Sequence, residues 1–372
     1  MRTTSISQVD ALFASGAYPI EFLLYYDKPV SGAALKTALR RLADDFWPAF
    51  GRYHGGEIVR DGYLPELHVR EIIDQRVFDS GASAEQLQAL YGSVNPQVDR
   101  ELFFLTVLQH KNGTVLLPKL SHLAGDGYSY FYLLSALAAG VQAPRNRFKA
   151  YLLRRLSRPR HDRTNLRRFR FAQRPPAYPP SLGDSRVELM TLDRAELDSE
   201  VAALNQSKIS ANDLLSAHVL KELTQRGLGA YNPRGRVGLV LPIDMRRALR
   251  SLGQRFFGNG LQLHRVTFRR DSVLELGAAT LAKEIRDSLP TLDRGQYITY
   301  LARLEDELAD GSRIAGPYDP ESDCLVTNLT RLPTSRLDFG GGPPSRALPL
   351  TLAQNSAAIL VDGDRYVLRL VV

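Results

Sequence analysis

The sequence predicts an α/β protein built in two halves, and three observations point to it. Strand-like apolar runs alternate with amphipathic helical stretches before residue 145 and again after residue 186. A basic, proline-rich stretch separates the two series. At 372 residues and 44% hydrophobic, the chain suits two domains or one large one, since a single core rarely grows that far. The expected boundaries are 1–150 for an N-terminal domain, 151–185 for a crossover linker and 186–372 for a C-terminal domain.

In the first half, Tyr18–Tyr26 reads as a strand rich in aromatic and branched residues. Ser31 is an N-cap candidate for a helix carrying Leu35, Ala38, Leu39, Leu42 and Phe46 at helical spacing, which Pro48 is expected to close. Phe50-Gly51-Arg52 begins another strand. Lys111-Asn112-Gly113 separates two apolar runs, 101–110 and 114–120, and marks a hairpin because Asn-Gly accepts positive φ. Pro118 lacks an N–H and predicts an edge or a bulge. A helix from Ser129 is expected to bury Phe131, Leu134 and Leu137 and to stop at Gly140.

Between that second strand and its helix lies Ser121-His122-Leu123-Ala124-Gly125-Asp126-Gly127. His-x-x-x-Asp-Gly puts one imidazole and one carboxylate close together on backbone that glycine can reverse. A histidine titrating near neutrality can take the proton of an attacking hydroxyl or amine. The aspartate can anchor a cation that holds the turn, and Gly125 and Gly127 leave room for a ligand.

Arg145–Arg174 holds twelve Lys or Arg against a single acidic residue, Asp162, and Pro175-Pro176 and Pro179-Pro180 follow. This reads as an exposed connector, or as a patch for CoA phosphates or an acidic carrier protein. The net charge of +8 does not indicate nucleic acid, because no nucleic-acid motif accompanies the patch. One cysteine, Cys324, excludes a disulfide framework and Cys-rich zinc sites. With no signal core and no run of membrane length, a cytoplasmic protein without a membrane span is expected.

In the second half Val187–Leu192 reads as a strand, and Asp193 with Glu196 makes a capping-box pattern. Ser210 opens a helix with Leu215, Val219 and Leu223 on one face, and His218 beside that face reads as a packed histidine. Val237–Ile243 and Leu261–Phe268 are strands, with helices expected near Ser272–Leu289 and Gly295–Leu308. Leu325–Thr330 is a short strand, Leu337–Pro343 a glycine-rich loop and Ala358–Val372 a hairpin turning at Asp362-Gly363. No dinucleotide or phosphate-loop fingerprint, metal-ligand cluster or organic cofactor motif is present.

Taken together, these residues resemble the BAHD family of acyltransferases, within the chloramphenicol-acetyltransferase-like superfamily. His122–Gly127 is similar to its HxxxDG motif and Leu337–Pro343 to its DFGWG-x-P loop. Phe256-Phe257-Gly258-Asn259 resembles YFGN, and Ile243-Asp244-Met245-Arg246 resembles V-D-x-R. Leu42–Arg52 and Ser210–Val219 resemble two further family segments, so the likeness spans nearly the whole chain. Gly341 stands where the family has tryptophan, and the chain is shorter than typical plant members. Condensation domains of the superfamily usually carry a second histidine where this chain has Ser121, and the DFG loop also argues against them.

The resemblance implies two similar domains, each a mixed β-sheet flanked by helices, with an active-site channel between them. It implies that acyl-CoA, as co-substrate, donates directly to a hydroxyl or amine of a small-molecule acceptor, with His122 as general base and no cofactor. Thr327 would donate to the oxyanion. Asp126 would point away from the channel and pair with Arg246, a structural role shared by Gly127, Asp338 and Gly340. Residues that bind CoA are not assigned, and a monomer is expected. Two alternatives stand: an acyl-carrier-protein donor, or a catalytically silent docking protein.

Overall fold

In the computed structural model, residues 2–6, 9–10, 19–54, 56–60, 69–73, 102–110, 113–142, 155, 158–161, 186–204, 208–249, 252–309, 319–350 and 353–372 are described. The first half contributes strands β1 (Arg2–Ser5), β2 (Ile20–Tyr26), β3 (Arg52–His54), β4 (Glu57–Arg60), β5 (Val69–Ile73), β6 (Phe103–His110) and β7 (Gly113–Leu120). Its helices are α1 (Gly32–Leu42) and α2 (Gly127–Val141). The second half contributes β8 (Val187–Asp193), α3 (Arg194–Ala203), α4 (Ala211–Gln225), β9 (Arg236–Asp244), β10 (Leu261–Arg269), α5 (Arg270–Glu275), α6 (Ala278–Ser288) and α7 (Arg294–Ala309). It ends with β11 (Asp323–Asn328), β12 (Arg346–Pro349), β13 (Ser356–Asp362) and β14 (Arg365–Val371).

Each half builds a mixed sheet. The first runs β12-β2-β7-β6-β5, with β5 and β6 parallel, and the second runs β10-β9-β11-β13-β14-β8, with β11 parallel to both neighbours. A small antiparallel sheet, β1-β4-β3, accompanies the first. Alternation along β14 explains the second core: Tyr366, Leu368 and Leu370 are buried with Leu215, Val219 and Leu223 of α4. Likewise Phe22, Leu24 and Tyr26 of β2 pack with Leu35, Leu39, Phe131 and Leu134 of α1 and α2. The expected alternation of strands and helices in both halves is therefore present.

The division at residue 186 is not a clean cut. β12, from the C-terminal part, pairs with β2 at the edge of the first sheet, and Leu337 and Phe339 join the first core. Tyr26 Oη donates to the Leu337 carbonyl at 2.9 Å, tying the glycine-rich loop to β2.

Several local expectations need correction. α1 ends at Leu42 rather than at Pro48, which lies in the first turn of a separate 3₁₀ helix over Trp47–Phe50. α2 continues through Gly140, where a Cβ would come within 3.2 Å of Ala38 Cβ; the glycine permits close helix contact instead of ending the helix. Pro118 lies on an interior strand. It stays in register with Leu105 of β6, while the β2–β7 ladder lapses between Glu21↔Lys119 and Leu24↔Leu116, with no extra residue. The missing N–H thus costs a ladder gap, not a bulge. Just past the gap the buried pair Lys119–Glu21, 3.0 Å apart, holds β7 to β2, although burial raises the Glu21 carboxyl above its ordinary range. The helix expected over Ser272–Leu289 is two, parted by extended backbone at Leu276 and Gly277. The Asn112 position of the hairpin lies outside the described residues.

Candidate active site

β7 delivers its chain end into a tight turn. Ser121 N–H donates to the Leu102 carbonyl at 2.8 Å, and Ala124 N–H donates back to the Ser121 carbonyl at 2.9 Å. His122 sits at this turn. Gly125 adopts no positive φ; its glycine is needed because a Cβ would lie 2.7 Å from Ser129 Cβ. It accommodates the protein's own α2, not a ligand. At Gly127, the first residue of α2, a Cβ would meet nothing within 4 Å, and the backbone there is likewise without positive φ.

Asp126 is the N-cap of α2. Its Oδ1 accepts from Ser129 N–H at 3.0 Å, which satisfies one of the helix's orphan donors. The same carboxylate receives Arg246 as a fork: Nη1 to Oδ2 and Nη2 to Oδ1, both at 2.8 Å. Gly260 N–H adds a fourth bond to Oδ2 at 2.8 Å. Both side chains are almost wholly enclosed, 1% exposed for Arg246 and 3% for Asp126. Burial alone would push the Asp126 carboxyl up, but the guanidinium and the two amides outweigh it and hold it below the ordinary carboxylate range.

Arg246 is saturated as well. Nη2 also donates to the Gly258 carbonyl at 2.8 Å and to Ser129 Oγ at 3.1 Å, Nε to the Phe256 carbonyl at 3.3 Å, and Nη1 to Asp244 Oδ1 at 3.1 Å. The Tyr128 ring covers the guanidinium at 4.5 Å. Ser129 Oγ donates to the Gly258 carbonyl and accepts from Gly258 N–H, at 2.8 and 2.9 Å. The segment 256–260 is thereby wrapped around the Asp126–Arg246 pair.

That wrapping brings Asn259 to His122. Asn259 Nδ2 donates to the His122 carbonyl at 2.6 Å and to Oδ1 of the fully buried Asp10 at 2.8 Å. Nδ1 of His122 is inaccessible to solvent. Burial dominates the titration of the ring and lowers its pKa to about 4, against the opposing influence of the Asp126 charge and of the Asn259 side chain. His122 is therefore neutral at pH 7, the form able to accept a proton.

The remaining expected residues lie elsewhere. Thr327 is half-buried on β11, beside Ala358 of β13, and is not part of the Asp126–Arg246 network. Asp338 and Gly340 build a second cluster: Asp338 Oδ1 accepts from Gly340 N–H at 2.8 Å and Gly342 N–H at 2.9 Å, which lowers its pKa, and Gly340 has φ +104. A Cβ at Gly341 would lie 3.0 Å from Lys28 Cβ, so Lys28 occupies the space beside the position where the resemblance expects tryptophan. Cys324 is buried and its thiol pKa is pushed up, which leaves no nucleophile there. His218 is half-buried with a lowered pKa, first from burial, as suits a packed side chain.

Of the basic connector, residues 155 and 158–161 are described. Arg160 pins it to the site segment, with its N–H on the Arg255 carbonyl at 2.7 Å and its carbonyl receiving Phe257 N–H at 2.9 Å. Arg158 pairs with Asp45 at 3.4 Å. Sequence reasoning missed Asp10, Ser129, Asn259 and Gly260. The one signal was the Phe-Phe-Gly-Asn string, which marked a segment without showing what it holds. Among the described residues no helix is long and apolar enough to cross a membrane.

No family model matches the chain. A curated protein, "Acyl transferase 7" of Oryza sativa subsp. japonica, is 28% identical over 187 residues, which is 47% of this chain and 40% of that protein. The chain thus spans less than half the length of the curated relative that it matches. Among solved structures, vinorine synthase is similar with a TM-score of 0.75 and 18% identity over 100% of this chain and 90% of that one. Fusarium graminearum TRI101, complexed with coenzyme A and T-2 mycotoxin, is similar with a TM-score of 0.73 and 14% identity over 100% and 95%. At such identities the structural likeness shows a shared fold and no more. The sequence relative is named an acyl transferase, and the solved structures of similar fold are vinorine synthase and TRI101, so sequence and structural likeness point the same way as the motifs.

Proposed function

We propose that the protein moves an acyl group from acyl-CoA to a hydroxyl or amine of a small-molecule acceptor, by direct attack and without an acyl-enzyme. One observation carries this reading: His122 is neutral at pH 7, near a carboxylate whose four hydrogen bonds leave it no capacity for substrate. In such a site the imidazole, not Asp126, handles the proton.

The acceptor proton passes to His122 Nε2 as its oxygen or nitrogen attacks the thioester carbonyl. Thr327 Oγ donates to the oxyanion of the tetrahedral adduct. Collapse breaks the C–S bond, and the imidazolium returns its proton to the leaving thiolate. The buried imidazolium is costly but short-lived, and the Asp126 charge favours it. Asp126, Arg246, Gly127, Asp338 and Gly340 act by shaping the protein. Every group named comes from one chain, so a monomer suffices. The TRI101 structure with coenzyme A and T-2 mycotoxin, which has the same fold, supports a CoA thioester and a small acceptor.

The test incubates wild type, His122→Ala and Thr327→Val with a panel of acyl-CoAs, alcohols and amines, and follows release of free thiol. Acceptor-dependent release that falls about 10²–10⁴-fold in His122→Ala supports the reading. Thr327→Val should lower kcat about 10²-fold or more. A folded wild type silent on every CoA thioester but active with a carrier-bound donor, increasingly so as salt is lowered, would assign the donor to an acidic carrier protein. Silence on both refutes catalysis and favours a docking protein.

A further inference from the structure

The row across the second sheet that carries Thr327 also carries a buried arginine. Register pairs Thr327 of β11 with Ala358 of β13, Ala358 with Arg369 of β14, and Arg369 with Leu189 of β8. Partners in register point to one face of a sheet. Their chain neighbours Val326, Ala357, Ile359, Leu368 and Leu370 fill the second core, so Thr327, Ala358 and Arg369 point to the opposite face. That face is turned toward the candidate site. Leu325, two residues before Thr327 and on its side of β11, packs against the cluster of Val9, Met245 and Phe256. Met245 precedes Arg246, and Phe256 opens the 256–260 segment, whose Asn259 holds the His122 carbonyl.

Arg369 is only 4% exposed. Burying a guanidinium is costly, and its planar fork matches a carboxylate. On this face its neighbours along and across the strands are Val367, Val371, Ala358 and Leu189, which add no second cation. One positive charge balances a carboxylate, whereas the several charges of the CoA phosphates call for more. Five N–H donors let the guanidinium keep contacts within the protein and still offer an edge to a ligand. Two strand spacings, about 10 Å, separate Thr327 from Arg369, and Ala358 between them adds only a methyl group. We propose that Arg369 binds a carboxylate of the substrate, several bonds from the reacting atom, and sets a preference for acids over their neutral counterparts. The inference deepens the proposed function and rests on it for the place of the reacting carbonyl at Thr327; the carboxylate site itself does not.

The experiment pairs each carboxylate with a neutral counterpart. One set takes acetyl-CoA as donor, with ω-hydroxy acids of rising chain length and their methyl esters as acceptors. The other compares malonyl-CoA with acetyl-CoA on an uncharged alcohol. Wild type and Arg369→Met, both folded by circular dichroism, are compared by the ratio of kcat/KM within each pair and by calorimetric affinity. Wild type should prefer the acid in one set, and Arg369→Met should cut that ratio about 10–100-fold. The set that responds tells whether the carboxylate belongs to the acceptor or to the acyl group. Equal losses for acid and neutral partner would show a structural arginine and overturn the proposal, as would a wild type without preference in either set. If Arg369→Met fails to fold, Ala358→Asp puts a carboxylate across from Arg369 in register, and an acid preference that survives it overturns the proposal. A wild type that binds the acid through Arg369 but transfers nothing would sink the proposed function and leave the carboxylate site standing.

Discussion

Replacing Asp126 should damage the fold, not the chemistry, and asparagine should be no gentler than alanine. Asp126→Ala removes four hydrogen bonds and strands a guanidinium that is 1% exposed. Breaking a buried pair from one side costs about 3–5 kcal/mol, and the lost N-cap adds about 1 kcal/mol. Asp244, 3.1 Å from Nη1 but 43% exposed, offsets part of this. A net loss of about 4 kcal/mol follows, near 5 °C in Tm if the chain unfolds as one unit. Asp126→Asn keeps the shape, but each carboxylate oxygen faces one backbone N–H and one guanidinium N–H. Either flip of the amide therefore aims its NH₂ at two donors. Urea denaturation of Asp126→Ala, Asp126→Asn and Asp126→Ala/Arg246→Met tests this; the double variant should recover much of the loss, because the stranded charge is gone. Since the folded carboxyl titrates below its ordinary value of 3.8, the contribution is complete above that value and vanishes as pH falls through the lower folded one. An Asp126→Asn protein within about 1 kcal/mol of wild type would refute the reasoning.

Four further outcomes are expected. With the His122 pKa at about 4, the acid limb of kcat/KM should fall well below the ordinary 6.5, and a limb at 6.5 would contradict the buried neutral ring. The same shift makes the unfolded chain bind the extra proton, so stability should fall as pH drops from 6.5 toward 4, and His122→Gln should flatten that part of the urea-derived profile. Gly340→Ala forces a side chain onto φ +104 and should cost about 1–3 kcal/mol by urea melt, with His122 titration unchanged. Cys324, buried with a raised thiol pKa, should resist maleimide in the native protein and react in urea, and Cys324→Ala should retain kcat.

The strand, turn and helix around His122 are legible in the sequence because their determinants are consecutive: an apolar run, a small-residue turn, an N-capping aspartate and a helical apolar face. Ser31 as the N-cap of α1 and the turn at Asp362-Gly363 are legible for the same reason. Pro118 misled because the local rule assumes that every ladder position is needed, whereas the sheet tolerates a gap beside a buried ion pair. Gly140 misled because a close helix contact and a helix stop call for the same residue. β12 has four residues and no signal for which sheet it joins. Asn259 and Asp10 were hidden because their partners are 137 and 249 residues away or more, and nothing periodic links them.

Those long-range bonds explain why the His-x-x-x-Asp-Gly spacing matters. Three residues after His122 complete the turn and place Asp126 as the helix cap, so its carboxylate faces the second half of the chain. There Arg246 and Gly260 take it, and the 256–260 segment closes over the pair. The same closure seats Asn259 on the His122 carbonyl, only one residue away from Gly258, whose carbonyl and N–H both bind Ser129. The carboxylate of the motif thus holds the other half of the chain against the turn that carries His122. A change at Asp126 or Arg246 should consequently loosen the 256–260 segment and its bond to the His122 carbonyl through the loss of fold stability, without either side chain touching the reacting atoms.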